Sequence, residues 1–258
     1  MTKKRKAIAT LLLFLVIAFI CSHKVSADDQ GDNFDQYSHA QQELVFSAKE
    51  NNIIDDFVFH HVLTEAYNRI GISIDLSLLP NERALRSSNS GVTDGEMARI
   101  EKVNKIYPFL IRVPVAIFMS KVSAFSLQRQ ELSGFWALTD KEVAIERGIK
   151  IIEQAAIDNR WQYYKVRSTT QLFDMLLRKY TEFAVVDELK ALRILSTMEE
   201  SKSRQVYLIQ PPLHKVPLYH FLHKKHENLL PKITDSLKKM ERQGLIKERM
   251  SELYQRYR

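Results

Sequence analysis

The apolar run Phe183-Ala184-Val185-Val186 ends on an acid, Asp187, where a helical pattern begins. A carboxylate at that position has two uses. It can cap the helix by accepting backbone N–H bonds, worth about 1 kcal/mol, or it can face a ligand. Its several acceptor sites allow both at once. Gly148 and the pair Thr169-Thr170 also stand between a strand-like and a helix-like stretch. Free backbone N–H groups at a helix start can hold an anion there. In the plainer reading Gly148 only makes a turn and Thr169 is only an N-cap. Tyr107, Trp136, Trp161 and Tyr163 can stack on a ligand, although aromatic side chains more often fill a core. Arg83, beside Glu82 in "LPNERAL", is expected in a surface ion pair.

Other chemistries find little support. His220, His223 and His226 recur at a spacing of three, and His60-His61 lie elsewhere. On a strand His220 and His223 point to opposite faces. A zinc site needs three or four convergent ligands, so no metal is expected. There is no G-x-S-x-G, no P-loop and no dinucleotide-binding glycine signature. Neither a cofactor nor a catalytic residue is expected, and the chain does not read as an enzyme.

Strands and helices must position these residues. Residues 43–48 (ELVFSA) read as a buried strand. Ile54, Val58, Val62, Ala66 and Ile70 fall at helical spacing, and Gly71 stops that helix. Ile72 to Leu78 alternates apolar and polar residues as a strand does. Pro80 opens a short helix to about Ser88. A strand over Glu96–Ile100 and an apolar run over Ile111–Met119 follow. The alternation then repeats, with strands over 142–146, 163–167 and 183–186, each followed by a helix. A strand-like stretch over Lys215–His223 leads to two amphipathic helices split by Gly244. Alternating elements of this kind predict parallel sheets covered by helices. Two such units with a returning segment predict two lobes joined by two linking strands.

The ends and the composition bound the setting. Lys3 to Lys6, an apolar run from about Ala7 to Cys21 and the small-residue site Val25-Ser26-Ala27 have the order of a cleaved secretory signal peptide over 1–27. Residues 28–40 are polar and read as a disordered lead-in. The single cysteine, Cys21, lies in the leader, which leaves no disulfide or thiol chemistry. The formal charge of +7 falls to +2 without the leader's five basic residues, which is no nucleic-acid footprint.

In order and local pattern, the chain resembles the extracellular solute-binding proteins of family 3, the periplasmic amino-acid-binding type. The stretches that carry the resemblance are "LTEAYNRIGISIDLSLLPNERAL", "GVTDGEMAR", "YPFLIRVPVAIF", "ELSGFWALTDKEVAIERGI", "YTEFAVVDE" and the ending "PLYHFLHKKHENLLPKITDSLKKMERQGLIKERMSELY". The resemblance implies an α/β, type II periplasmic-binding-protein-like fold, each lobe a mostly parallel sheet flanked by helices. It places lobe one at 41–117 with 213–258 and lobe two at 118–212. It implies a small polar ligand, an amino acid or a related compound, held between the lobes by hinge closure. The partner would be a membrane ABC permease or a sensor kinase, and the protein a periplasmic monomer. By resemblance Arg99, ahead of Tyr107-Pro108, would clamp a ligand carboxylate, for which an arginine fork is suited. Asp187 would bind the ligand's amino group. Here Arg99 follows Glu96-Met97-Ala98, where the family pattern has a Thr-x-x-Arg lead. Two rivals remain: an enzyme using the same cleft with Asp187 or Glu96 as general acid or base, and an interaction or sensory module of the same fold.

Overall fold

The computed structural model describes residues 43–257. The expected signal peptide and lead-in lie outside the described residues. The elements run β1 (Glu43–Lys49), α1 (Ile53–Val58), α2 (Thr64–Asn68), β2 (Ser73–Leu79), α3 (Asn81–Asn89), β3 (Gly95–Ile100) and β4 (Leu110–Ser126). After these come β5 (Glu142–Glu146), α4 (Lys150–Asp158), β6 (Gln162–Val166), α5 (Thr169–Leu177), β7 (Phe183–Asp187) and α6 (Glu188–Thr197). The chain ends with α7 (Glu200–Ser203), β8 (Tyr207–Leu208), β9 (His214–His223), α8 (Leu230–Arg242) and α9 (Leu245–Arg256).

The strands form one path, β2-β1-β3-β9-β4-β7-β5-β6, with β8 pairing to β4. At one end β1 pairs in parallel with β2 and β3. At the other β5 pairs in parallel with β6 and β7. Between these parallel arms run the long antiparallel strands β4 and β9, paired from Leu110↔His223 to Val122↔His214. This is the expected α/β arrangement: two lobes, each a mostly parallel sheet with helices, joined by two hinge strands. The apolar run of residues 111–119 proves to be only the first part of β4. Lys121 and Ser123 interrupt its apolar pattern, yet the backbone continues to Ser126 and pairs with β7.

Local chemistry accounts for the element starts. Asn52 caps α1, its side chain accepting from the N–H groups of Ile54 and Asp55 at 2.9 and 3.1 Å. A π-turn over Phe59–Leu63 joins α1 to α2, so the single helix expected over 54–70 is widened at its middle while Val58, Val62 and Ala66 stay buried. The first-lobe core gathers Phe46, Val62, Tyr67, Phe118 and Leu237, and it takes in Leu189 and Leu192 of α6. A second core packs Val143, Ile152, Trp161 and Val185 between the sheet and α4. Among the described residues no helix is long and apolar enough to cross a membrane.

Candidate functional site

In open α/β sheets ligands gather beyond the carboxyl ends of the strands, and here β1, β5 and β7 end in the charged residues Lys49, Glu146 and Asp187. Lys49 closes β1. Its ammonium feels, in order of strength, Asp55, Arg99, Glu96 and Asp187. Asp55 stands on α1, Glu96 and Arg99 on β3, and Asp187 at the end of β7. Asp55 is in ionic range of the Lys49 ammonium at 3.9 Å, Glu96 and Arg99 pair with each other, and Asp187 is held by Ser120 and the Lys190 N–H.

A bulge sets the β3 pair. Glu96 is opposite Phe221 and Arg99 opposite Tyr219, so three steps on β3 span two on β9. In a regular strand residues three apart point to opposite faces. The extra residue returns both side chains to one face, and Arg99 closes on Glu96 as a buried ion pair. Arg99 also donates to Asn81 Oδ1 at 2.6 Å, while its Nε has no hydrogen-bond partner. The bulge is braced from β9. His220 Nδ1 faces the carbonyls of Glu96 and Met97 at 2.9 and 3.4 Å. That nitrogen therefore carries the proton, and Nε2 accepts from the Tyr67 hydroxyl at 2.8 Å.

Burial dominates the electrostatics. It pushes the Glu96 carboxyl up to about 7, against the opposing pull of Arg99. It also raises Asp55, with Lys49 and Arg99 pulling back, and raises Asp187 against its hydrogen bond from Ser120. Lys49 is lowered by burial, with Asp55 the main opposing influence. His220, fully buried, is pushed down to about 4.

Asp187 does cap α6, its Oδ1 accepting from the Lys190 N–H at 3.0 Å, and its Oδ2 accepts from the Ser120 hydroxyl at 2.6 Å. Thr169 is not the cap of α5. That role falls to Ser168, which accepts from the Gln171 N–H at 3.2 Å. Thr169 is buried and donates to Glu146 Oε2 at 2.8 Å, and the Lys190 ammonium meets both oxygens of Glu146 at 2.6 and 2.7 Å. Gly148 makes a turn at φ +91°, and its N–H donates to Glu153 Oε1 at 2.9 Å. Tyr107 donates to Glu82 at 2.9 Å on the surface of α3.

The structure therefore places Arg99 in a buried ion pair with Glu96 and Asp187 at the junction of β7 and α6, each contributing to the electrostatics of Lys49. It shows Thr169 in a separate knot with Glu146 and Lys190, and Gly148 and Tyr107 in local bonds. Arg83 is exposed, and Glu82 pairs with Arg86 instead. Trp161 is a core residue, whereas Trp136 is exposed. Of the histidines, His220 is locked in the core and His226 bonds Asp94 at 2.6 Å. Among the described residues no cluster of three or more His, Cys, Asp or Glu side chains could hold a metal.

Sequence reasoning missed Lys49, Asp55 and Asn81 as members of the cluster. The available signal was positional: Lys49 ends an apolar strand, and Asn52 with Asp55 opens the next helix.

No family model matches the chain. An uncharacterized protein of Shewanella oneidensis is 28% identical over 192 residues, covering 72% of this chain and 71% of that one. Among solved structures, an ancestral arginine-binding protein bound to arginine is similar with a TM-score of 0.58 at 14% identity, covering 83% of this chain and 99% of that one. An amino acid ABC transporter substrate-binding protein from Streptococcus pneumoniae, bound to L-arginine, has a TM-score of 0.58 at 12% identity, covering 84% and 97%. A histidine kinase sensor domain with similarity to periplasmic binding proteins has a TM-score of 0.60 at 12% identity, covering 83% and 97%. At such identities the likeness is one of fold: this chain has the two-lobed architecture of periplasmic binding proteins.

Proposed function

We propose that the chain is an exported solute-binding protein of the family 3 type, with lobe one at 41–117 and 213–258 and lobe two at 118–212. A small polar ligand is held between the lobes and buried by hinge closure. The observation that carries this reading is the ionisable side chains withdrawn from water near the strand ends: Asp55 beside Lys49 and the buried Glu96–Arg99 pair in the first lobe, and Asp187 at the end of β7 in the second. Burying charges is costly unless something organises them, and perturbed ionisable groups concentrate at functional sites. Interfaces between domains are also where ligand pockets favour forming.

The liganded form is presented to a membrane partner, an ABC permease or a sensor kinase. The protein works without cofactor or turnover. A product formed from the bound compound would instead make Glu96 and Asp187 acid–base residues.

The test is a thermal-shift screen of the full chain against amino acids, small peptides, organic acids, amines and sugars. A binder at 100 times its Kd adds about 2.7 kcal/mol of stability. That gain is expected to disappear in both Arg99→Ala and Asp187→Asn, the second of which keeps the helix cap. A screen without a hit, or a hit indifferent to both variants, would refute the proposal.

A further inference from the structure

Between α2 and α9 lies a pocket of about 530 Å³, lined by Thr64, Glu65, Asn68, Arg69 and Arg249 together with His60 and His61. None of Lys49, Asp55, Glu96, Arg99 or Asp187 borders it. Two arginines share one acid there. Arg69 donates from Nε and Nη2 to Glu65 Oε1 at 3.2 and 2.5 Å, and Arg249 donates from Nη2 to Glu65 Oε2. Burial raises the Glu65 carboxyl, but the hydrogen bonds from Arg249 and Arg69 outweigh it and hold the group below its ordinary value. Glu65 therefore stays ionised at neutral pH, and the trio keeps one positive charge. Asp56 adds no acid to the lining; it lies 3.6 Å from His60 with its side chain 72% exposed.

Both guanidiniums are fixed in place. Arg69 Nη1 donates to Gln243 Oε1 at 3.0 Å, and Arg249 Nη1 donates to the His61 carbonyl. That carbonyl belongs to the π-turn over Phe59–Leu63, where the Thr64 N–H reaches back to the Phe59 carbonyl. Such interruptions of a helix recur at functional sites. The bonds described use three N–H donors of Arg69 and two of Arg249, out of five on each guanidinium. Beside them the Thr64 hydroxyl is shielded from water and has no hydrogen-bond partner, which is costly to leave so. A helical threonine has two accessible χ1 rotamers, so this hydroxyl can turn to an occupant of the pocket.

We propose that this pocket binds a phosphate group, free or on a small ester, at a site separate from the solute cleft. The two guanidinium forks take its oxygens, and Thr64 and Asn68 supply further donors. A tetrahedral oxyanion presents oxygens in several directions, which matches donors arriving from two helices.

Calorimetric titration of the full chain with inorganic phosphate, against chloride at equal ionic strength, tests the proposal. A saturable heat is expected with phosphate and none with chloride. Glycerol 3-phosphate in parallel separates the two sources: saturable binding of either supports the proposal, and the tighter one says whether the group is free or esterified. Thr64→Val should weaken binding about tenfold and leave the melting temperature of the unliganded protein unchanged or raised, since the lost hydroxyl has no partner there. A merely structural threonine would not separate these readouts. Arg249→Lys, which keeps the charge and loses the fork, should weaken binding by a similar factor; should it fail to fold, Thr64→Val carries the test. Heat that follows ionic strength alone, no binding of either compound, or an affinity unmoved by the substitutions would overturn the proposal.

Discussion

Glu96 and His220 make opposing demands on pH, and Glu96→Gln separates them. Glu96 ordinarily titrates near 4.5, and burial lifts it to about 7 in the fold. The folded state then holds a proton that the unfolded chain has released. Stability contributed at low pH is therefore lost as pH rises from about 4.5 through about 7. His220 is the reverse: it ordinarily titrates near 6.5 and burial lowers it to about 4. The unfolded chain takes up a proton that the fold refuses, so stability is lost as pH falls from about 6.5 through about 4. One proton bound in one state and absent from the other changes stability by about 1.4 kcal/mol for each step of one in pH. Going from about pH 5 to about pH 7 thus removes about 2 kcal/mol through Glu96 and restores about 2 kcal/mol through His220. These two contributions nearly cancel over that window. Glu96→Gln removes the glutamate slope, so relative to wild type its stability should rise by about 2 kcal/mol from about pH 5 to about pH 7. Urea unfolding at each pH, extrapolated linearly to water, reads this directly. Asp55, Asp187 and every exposed group are common to both proteins, so the difference curve isolates Glu96. A variant whose stability runs parallel to wild type over this window would refute the claim that Glu96 is buried and raised.

Three further perturbations probe the supports of the site. A Cβ on Gly95 would lie 2.1 Å from the Phe221 carbonyl oxygen; Gly95→Ala should cost about 1–3 kcal/mol, read as a fall in melting temperature. Tyr67→Phe removes the donor to His220 Nε2 and should cost about 1–3 kcal/mol in urea unfolding, because a buried acceptor is left unpaired. Asp187→Ala should cost about 1 kcal/mol through the lost cap of α6, whereas Asp187→Asn should retain most of that stability in the same assay.

The order of elements was legible because it rests on local pattern. Gly71 and Gly244 stop helices, and the apolar runs Phe183–Val186 and 142–146 mark strands wherever they sit in the fold. The reach of β4 was not legible, since Lys121 and Ser123 look like a strand's end until Glu188 is seen to receive them both, at 3.6 and 2.8 Å. Asp187 showed its cap in the sequence because cap and helix are neighbours. The fate of Thr169 was hidden, because its partner Glu146 is 23 positions away and Ser168 took the cap. The cluster itself was the least visible part. Lys49, Asp55 and Glu96 have the composition of a solvated surface, and only the bulge in β3 and the packing of α1 bury them.

The central claim is that one ligand is held by both lobes. Hydrogen exchange of the full chain, with and without the best compound from the screen, tests it most directly. Protection is expected together at the end of β1 and start of α1 (residues 49–56), on β3, and at the β7–α6 junction around Asp187. Protection confined to one lobe, or lying elsewhere, would contradict it.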